Sequence, residues 1–283
     1  MFIQQNRYVK LVLLSIIILL IANKEYVVAE QGEFQGITEP YRDSILGAYV
    51  TGVISVIKRK EGEFVKKGEV ILELESQQEA LEVERRKLIA ESKVEVKAAK
   101  DRVKTLELEL ESTRKLFEET QSVSKEELQK KELEYKLAQA ELERLLLAEK
   151  REEIEYKIAQ VQLEKRRITA PFDGIIVKVY HEVGENCNPQ EPLVRIVDIR
   201  KCRFIAYVEN KISSYLKAGM KVTLRIQSLA SPFVCQGIIE YVSPVVDPSS
   251  GLREVKVVFD NPDNKIQPGV TGIMVLQVRG EVN

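Results

Sequence analysis

The sequence predicts an α+β chain in which a small β-sandwich is cut in two by a long helical hairpin and followed by a small β-barrel. Three observations carry this. From 77 to 167 neither Pro nor Gly occurs, and Glu, Lys, Arg, Leu and Ala dominate, the composition of long helices. The segments on either side of that stretch repeat one glycine-punctuated strand pattern. Beyond residue 200, short β-rich runs alternate with Gly, Pro, Asn and Asp turns.

Taken in order, residues 1–29 read as an export signal or a membrane anchor. Arg7 and Lys10 precede an apolar run at 11–22, and Val27 and Ala29 suit cleavage before Glu30. The run is shorter than the roughly 20 apolar residues that span a bilayer, and Asn23, Lys24 and Glu25 interrupt it, while a retained anchor stays open. Either way the body is expected outside the cytoplasm. With no Cys beside the signal, a lipid-modified cysteine anchor is unsupported. Residues 30–46 read as a linker with a first barrel strand.

Residues 47–75 and 169–199 form the repeat. Gly52 and Gly174 each open a β-branched strand, and a second glycine, Gly62 or Gly184, follows ten residues later. A turn and another apolar strand come next, at 71–74 and 193–197. Gly62 and Gly184 are expected to take positive φ in matching turns. Neither half can bury its own apolar face, so the two are expected to pair into one sandwich.

Between them, 76–168 reads as two antiparallel helices of about 40 residues each, reaching roughly 60 Å at 1.5 Å per residue. Val96, Val103, Leu110 and Phe117 recur every seven residues, as do Ala99, Leu106 and Thr113. The second helix answers with Leu128, Tyr135, Leu142, Tyr156 and Leu163, beside Ala138, Leu145 and Ala159, interrupted by Glu149 and Glu152. Weak helix formers at 120–123 mark the turn. Ser124 with Glu127, and Ser76 with Glu79, suggest capping boxes, and Val123 with Leu128 a hydrophobic staple. Such helices also pack in globular bundles, but the flanking half-sandwiches favour a projecting hairpin. Its tip offers Leu116, Phe117, Val123 and Ser124 as candidates for partner docking, because exposed apolar residues at a turn do little for a monomer. The alternative is that Phe117 and Val123 close the hairpin. Residues 200–283, with strands at 203–209, 221–227, 237–242, 253–259 and 270–278, read as the barrel.

Several function classes fall away. A net charge of −1 gives no reason to expect nucleic acid. His181 is the sole histidine, Cys187, Cys202 and Cys235 are widely spaced, and no metal site is expected. The cysteines read as small buried residues, with at most one disulfide. Without a nucleophile motif or a phosphate-cradling loop, no enzyme activity is expected. Asp173 and Asp247 lie in turns, where bonding to backbone N–H groups is their ordinary role.

These residues resemble the membrane fusion protein family, the periplasmic adaptors of tripartite efflux pumps. The carriers are the stretch Gly62-Glu-Phe-Val-Lys-Lys-Gly-Glu-Val-Ile71 and Ile168-Thr-Ala-Pro-Phe-Asp-Gly174, followed in the barrel by Ala206-Tyr-Val-Glu-Asn210 and Val242-Ser-Pro-Val-Val-Asp247. The resemblance implies a split lipoyl-like sandwich interrupted by an antiparallel coiled-coil hairpin, plus a β-barrel. It implies partnership with an inner-membrane transporter, of the resistance-nodulation-division or ATP-driven class, and with an outer-membrane channel. It further implies a homo-oligomer in the periplasm of a Gram-negative-type bacterium, on the inner membrane, and no cofactor. Related single-chain domains carry lipoyl or biotinyl groups on a turn lysine; here the hairpin replaces that turn. An adaptor of type I protein secretion is the alternative role. Two departures stand out. Leu116 lies eight residues before Ser124 where the family's tip pattern has seven, with Arg114 two before it rather than four. The chain also reaches Asn283 soon after the barrel, so a separate membrane-proximal domain is not expected.

Overall fold

The computed structural model describes residues 30–227 and 232–278; residues 1–29, read above as an export signal or a membrane anchor, lie outside the described residues. Two compact units form. One holds the described residues up to Arg42 together with those from Asp198 onward, the other Asp43–Val197.

In the second unit, β2 (Gly52–Ile57), β3 (Phe64–Val65) and β4 (Val70–Leu74) come from before the helices. β5 (Arg167–Thr169), β6 (Gly174–Val179), β7 (Asn186–Cys187) and the start of β8 (Pro192–Glu209) come from after them. The halves interleave. β2 of the first half pairs with β7 of the second (Gly52↔Cys187), β4 with β5 (Val70↔Thr169) and β3 with β6 (Phe64↔Ile175). The shared core joins Ile54, Ile71 and Leu74 to Ile168, Ile176 and Ile196, all essentially buried. Neither half would enclose these side chains alone, so the driving force for pairing is their removal from water. Gly62 and Gly184 do adopt positive φ (84° and 93°), a backbone region that other L-residues enter only with strain.

The hairpin consists of three helices, α1 (Gln77–Glu91), α2 (Val94–Thr120) and α3 (Lys125–Glu164). The ascending arm is therefore broken, contrary to the two-helix expectation. Ser92 is extended at the break (φ −74°, ψ 109°). The seam explains why. In α1 the residues turned inward are Glu79, Glu82, Val83, Arg86 and Ala90, and in α2 they begin at Val96 and Ala99. An unbroken helix would have continued the α1 register onto Lys97; the break slips the phase by one residue and places Val96 in the seam. In α2 every residue of the two predicted heptad series is at least half-buried, and all others are exposed.

In the first unit, six strands form a closed barrel in the order β1 (Glu30–Gly47), β12 (Thr271–Val278), β9 (Lys221–Ile226), β10 (Phe233–Val242), β11 (Leu252–Asp260) and β8, with β1 pairing back to β8. A short α4 (Asn210–Ser213) follows β8, and a 3-10 turn at Pro262–Asn264 follows β11. β8 runs unbroken where two strands were expected, because 198–202 contains no Gly or Pro to interrupt it. The core centres on Phe204, Leu224, Ile226, Val257 and Met274. Gly36 pairs directly with Gly272 across β1 and β12, and the ring of Phe204 lies over both. Two adjacent residues without side chains thus make the pit that one aromatic ring fills.

Candidate functional site

The two arms of the hairpin lock by their seam and by polar contacts across it. Near the tip, Arg114 pairs with Glu132 at 3.2 Å, Lys131 with Glu109 at 2.8 Å, and Tyr135 Oη donates to Glu107 at 3.2 Å. Its neighbour Glu107, after burial, helps hold the Tyr135 phenol above its ordinary pKa. Glu149 and Glu152, which interrupt the predicted stripe, occupy its register and face the break between α1 and α2. There Lys93 pairs with Glu149 and lies 3.7 Å from Glu153, while Arg86 lies 3.6 Å from Glu152 and 3.7 Å from Glu155. Between the tip and the break the seam is thus mainly apolar, and at the break it carries an ionic layer. Hydrogen bonds from Arg85 and Arg86 pull the Glu82 carboxyl down to about 2, and Glu149 raises Lys93.

At the hairpin's root Ser76 makes no side-chain cap, and Glu79 instead pairs with Arg166. Arg166 also donates to the Thr51 carbonyl at 2.9 Å, so one guanidinium joins both helix ends to the sandwich. Asp173 accepts from the Lys67 N–H at 2.8 Å and ties the two sandwich halves. Asp247 accepts from the N–H groups of Ser249 and Ser250, both at 2.9 Å. Nothing in the local sequence pointed to Arg166, whose partners lie 87 and 115 positions away.

At the tip, α2 ends on Thr120, Gln121 takes a left-handed conformation (φ 51°), and Ser124 N-caps α3 by accepting from the Glu127 N–H at 3.2 Å. Thr120 Oγ1 donates to the Leu116 carbonyl and Ser122 Oγ to Thr120, each at 2.8 Å. Leu116 faces outward at 48% exposure. Phe117 and Val123 are half-buried, Phe117 continuing the α2 seam, and Ser124 is exposed. The four tip residues therefore come together at one turn, with Leu116 presenting the larger open apolar surface.

All three cysteines are free, Cys187 and Cys202 buried and Cys235 half-buried. Among the described residues no cluster of three His, Cys, Asp or Glu side chains is placed to hold a metal, and no helix is long and apolar enough to cross a membrane.

This geometry has counterparts. The family profile described as CzcB-like, barrel-sandwich hybrid domain matches residues 44–198, and that described as CusB-like, beta-barrel domain matches 205–280. The chain belongs to the membrane fusion protein family. Members are adaptors and not enzymes. Among solved structures, MacA from Actinobacillus actinomycetemcomitans superposes with a TM-score of 0.71 at 23% identity, over 89% of this chain and 80% of that one. The membrane fusion protein Spr0693 from Streptococcus pneumoniae R6 matches with a TM-score of 0.56 at 14% identity, over 87% of this chain and 99% of that one. At these identities the likeness is one of fold. An uncharacterized protein of Haemophilus influenzae is 26% identical over 250 residues, which is 88% of this chain; the chain spans 58% of that relative's length.

Proposed function

We propose that this membrane fusion protein is a periplasmic adaptor that links an inner-membrane efflux transporter to an outer-membrane channel and supports export of small molecules. The observation that carries the reading is the hairpin. α3 has 40 residues, about 60 Å at 1.5 Å per residue, and it turns at a tip bearing outward Leu116. A long arm rooted by Arg166 in a rigid sandwich is a spacer, and its capped turn is the surface a distant partner would meet. In this reading residues 1–29 direct export, the barrel lies toward the transporter, Leu116, Phe117, Val123 and Ser124 meet the channel, and several copies stand side by side around a duct.

The test is site-specific cross-linking in the envelope, with probes at Leu116 and at Tyr207, which is half exposed on the barrel. Capture of an outer-membrane channel at Leu116 and of a transporter at Tyr207 is the expected result. Replacing Phe117 and Val123 by Asp should abolish channel capture with helicity intact; lost helicity would mean these residues only close the hairpin. Capture of neither partner would overturn the bridge. Retention of a protein substrate in cells lacking the chain, with drug tolerance unchanged, would favour type I secretion.

A further inference from the structure

One end of the barrel displays unpaired lysines around exposed apolar side chains. Because neighbouring strands run antiparallel, β8, β10 and β12 finish at this end, and β9, β11 and β1 start there. The connections 209–221, from β8 to β9, and 243–251, from β10 to β11, therefore both lie on it. So does Glu30, the first residue of β1, which pairs with Val278 at the end of β12.

The first connection is fixed from beneath. Leu216 is buried in the barrel core, and Ile212 packs against it. The Leu216 N–H donates to the Ser213 carbonyl at 3.1 Å, the Gly219 N–H to the Ile239 carbonyl at 2.8 Å, and the Lys217 N–H to the Met220 sulfur at 3.2 Å. With Leu216 turned in, Tyr215 and Lys217 on either side of it are turned out. Tyr215 is 70% exposed and Met220 41%, and Val245 on the second connection is 68% exposed. Lys211, Lys217 and Lys221 are exposed, and among the described residues none of them has an ion-pair partner. Glu209 is the one acidic residue in 209–221. Asp247, on the second connection, is engaged by the N–H groups of Ser249 and Ser250.

Free ammonium groups around a tyrosine and a methionine suit an anionic lipid surface. The lysines meet phosphates, while amphipathic and apolar side chains enter the headgroup layer. The course of the chain favours lipid over a protein partner. Residues 1–29 join the barrel at Glu30, on this same end, and their apolar run stops at Ala22. The segment 23–29 extends at most about 25 Å, so wherever that run is retained in a bilayer, this rim stands close to its surface.

We propose that this rim, with Lys211, Lys217 and Lys221 around Tyr215 and Met220, rests directly on the anionic headgroups of a bilayer. The proposal rests on the reading that the barrel lies toward the inner membrane, and it adds lipid as a partner beside the transporter. The chain has no Trp, so Tyr215→Trp places a single indole on the rim. In the full-length chain, brominated lipids should quench that indole in vesicles containing phosphatidylglycerol and not in vesicles of phosphatidylcholine alone. Val234→Trp, at the opposite end of the barrel, should stay unquenched in both. A lysine near an anionic surface is worth about fivefold in binding, and Glu209 offsets one of them. Exchanging Lys211, Lys217 and Lys221 together for Glu should therefore lower the quenching at least tenfold. High salt should lower it in the chain that keeps all three lysines, a readout independent of how the triple variant folds. Quenching equal in both vesicle types and indifferent to the lysines and to salt would mean that residues 1–29 alone hold the chain there. No quenching in either would leave this end to a protein; each of these results overturns the proposal. Transporter capture at Tyr207 without quenching would keep the bridge and remove the lipid contact, and quenching without capture would do the reverse.

Discussion

Adding one methyl group at Gly36 should disrupt closure of the barrel. A Cβ there would lie 2.2 Å from the carbonyl oxygen of Ile205 on β8 and 2.7 Å from two ring carbons of Phe204. Ordinary carbon–oxygen contacts begin near about 3.3 Å, so β1 must retreat by about 1 Å. The ring has somewhere to turn; a backbone oxygen in a paired strand does not. Overpacking of this kind costs about 1–3 kcal/mol, and one or two strained ladder hydrogen bonds add about 1 kcal/mol each. Gly36→Ala should therefore destabilise the barrel by about 3 kcal/mol, a drop in Tm of roughly 12 °C at about 4 °C per kcal/mol for a unit of this size. Differential scanning calorimetry would measure it. Phe204→Leu, which removes the ring contact, should not rescue Gly36→Ala, because the carbonyl clash remains. A Tm within about 2 °C of the unsubstituted chain, or full rescue by Phe204→Leu, would refute the reasoning.

Further predictions concern the hairpin and the thiols. Ser124→Ala removes the acceptor that caps α3 and should cost about 1 kcal/mol, seen as faster amide exchange at 125–128 with the root of the hairpin unchanged. Glu149→Leu replaces a carboxylate 15% exposed in the seam with an apolar side chain and leaves only the exposed Lys93 without its closest partner. It should stabilise the hairpin by about 1 kcal/mol, read from the urea midpoint; destabilisation would mean the ionic layer holds the break in place. Burial pushes the Cys202 and Cys235 thiols up to about 11, so maleimide labelling of the folded chain at pH 8 should be negligible and appear only on unfolding. Glu82 has its carboxyl lowered from 4.5 to about 2 by Arg85 and Arg86. Its contribution to α1 is complete above about pH 4.5 and is lost as pH falls toward 2, so helicity should fall across that window, and less so in Glu82→Gln.

Much of this was legible in the sequence because it is local. The α2 seam from Val96 to Phe117 needed only a seven-residue period, the two sandwich halves only their repeated glycines, and the tip only Ser124 and the weak helix formers before it. The tip candidates gather at one turn because a chain reversal of four residues leaves them nowhere else to go. What escaped depended on partners far along the chain. Ser76 and Glu79 have the spacing of a capping box, yet Arg166 takes the carboxylate, and a charged donor outcompetes a neutral backbone N–H.

The sequence by itself therefore determined the kinds of element, their order and the faces they bury, since periodicity and turn chemistry act over a few residues. Only the tertiary structure decided where the ascending arm breaks, that Glu149 and Glu152 form a paired layer at that break, and that Gly36 and Gly272 meet to seat Phe204. Each of these is a close contact between segments separated by tens to hundreds of residues. Their energies depend on separations of a few tenths of an ångström, which no pattern along a single chain encodes.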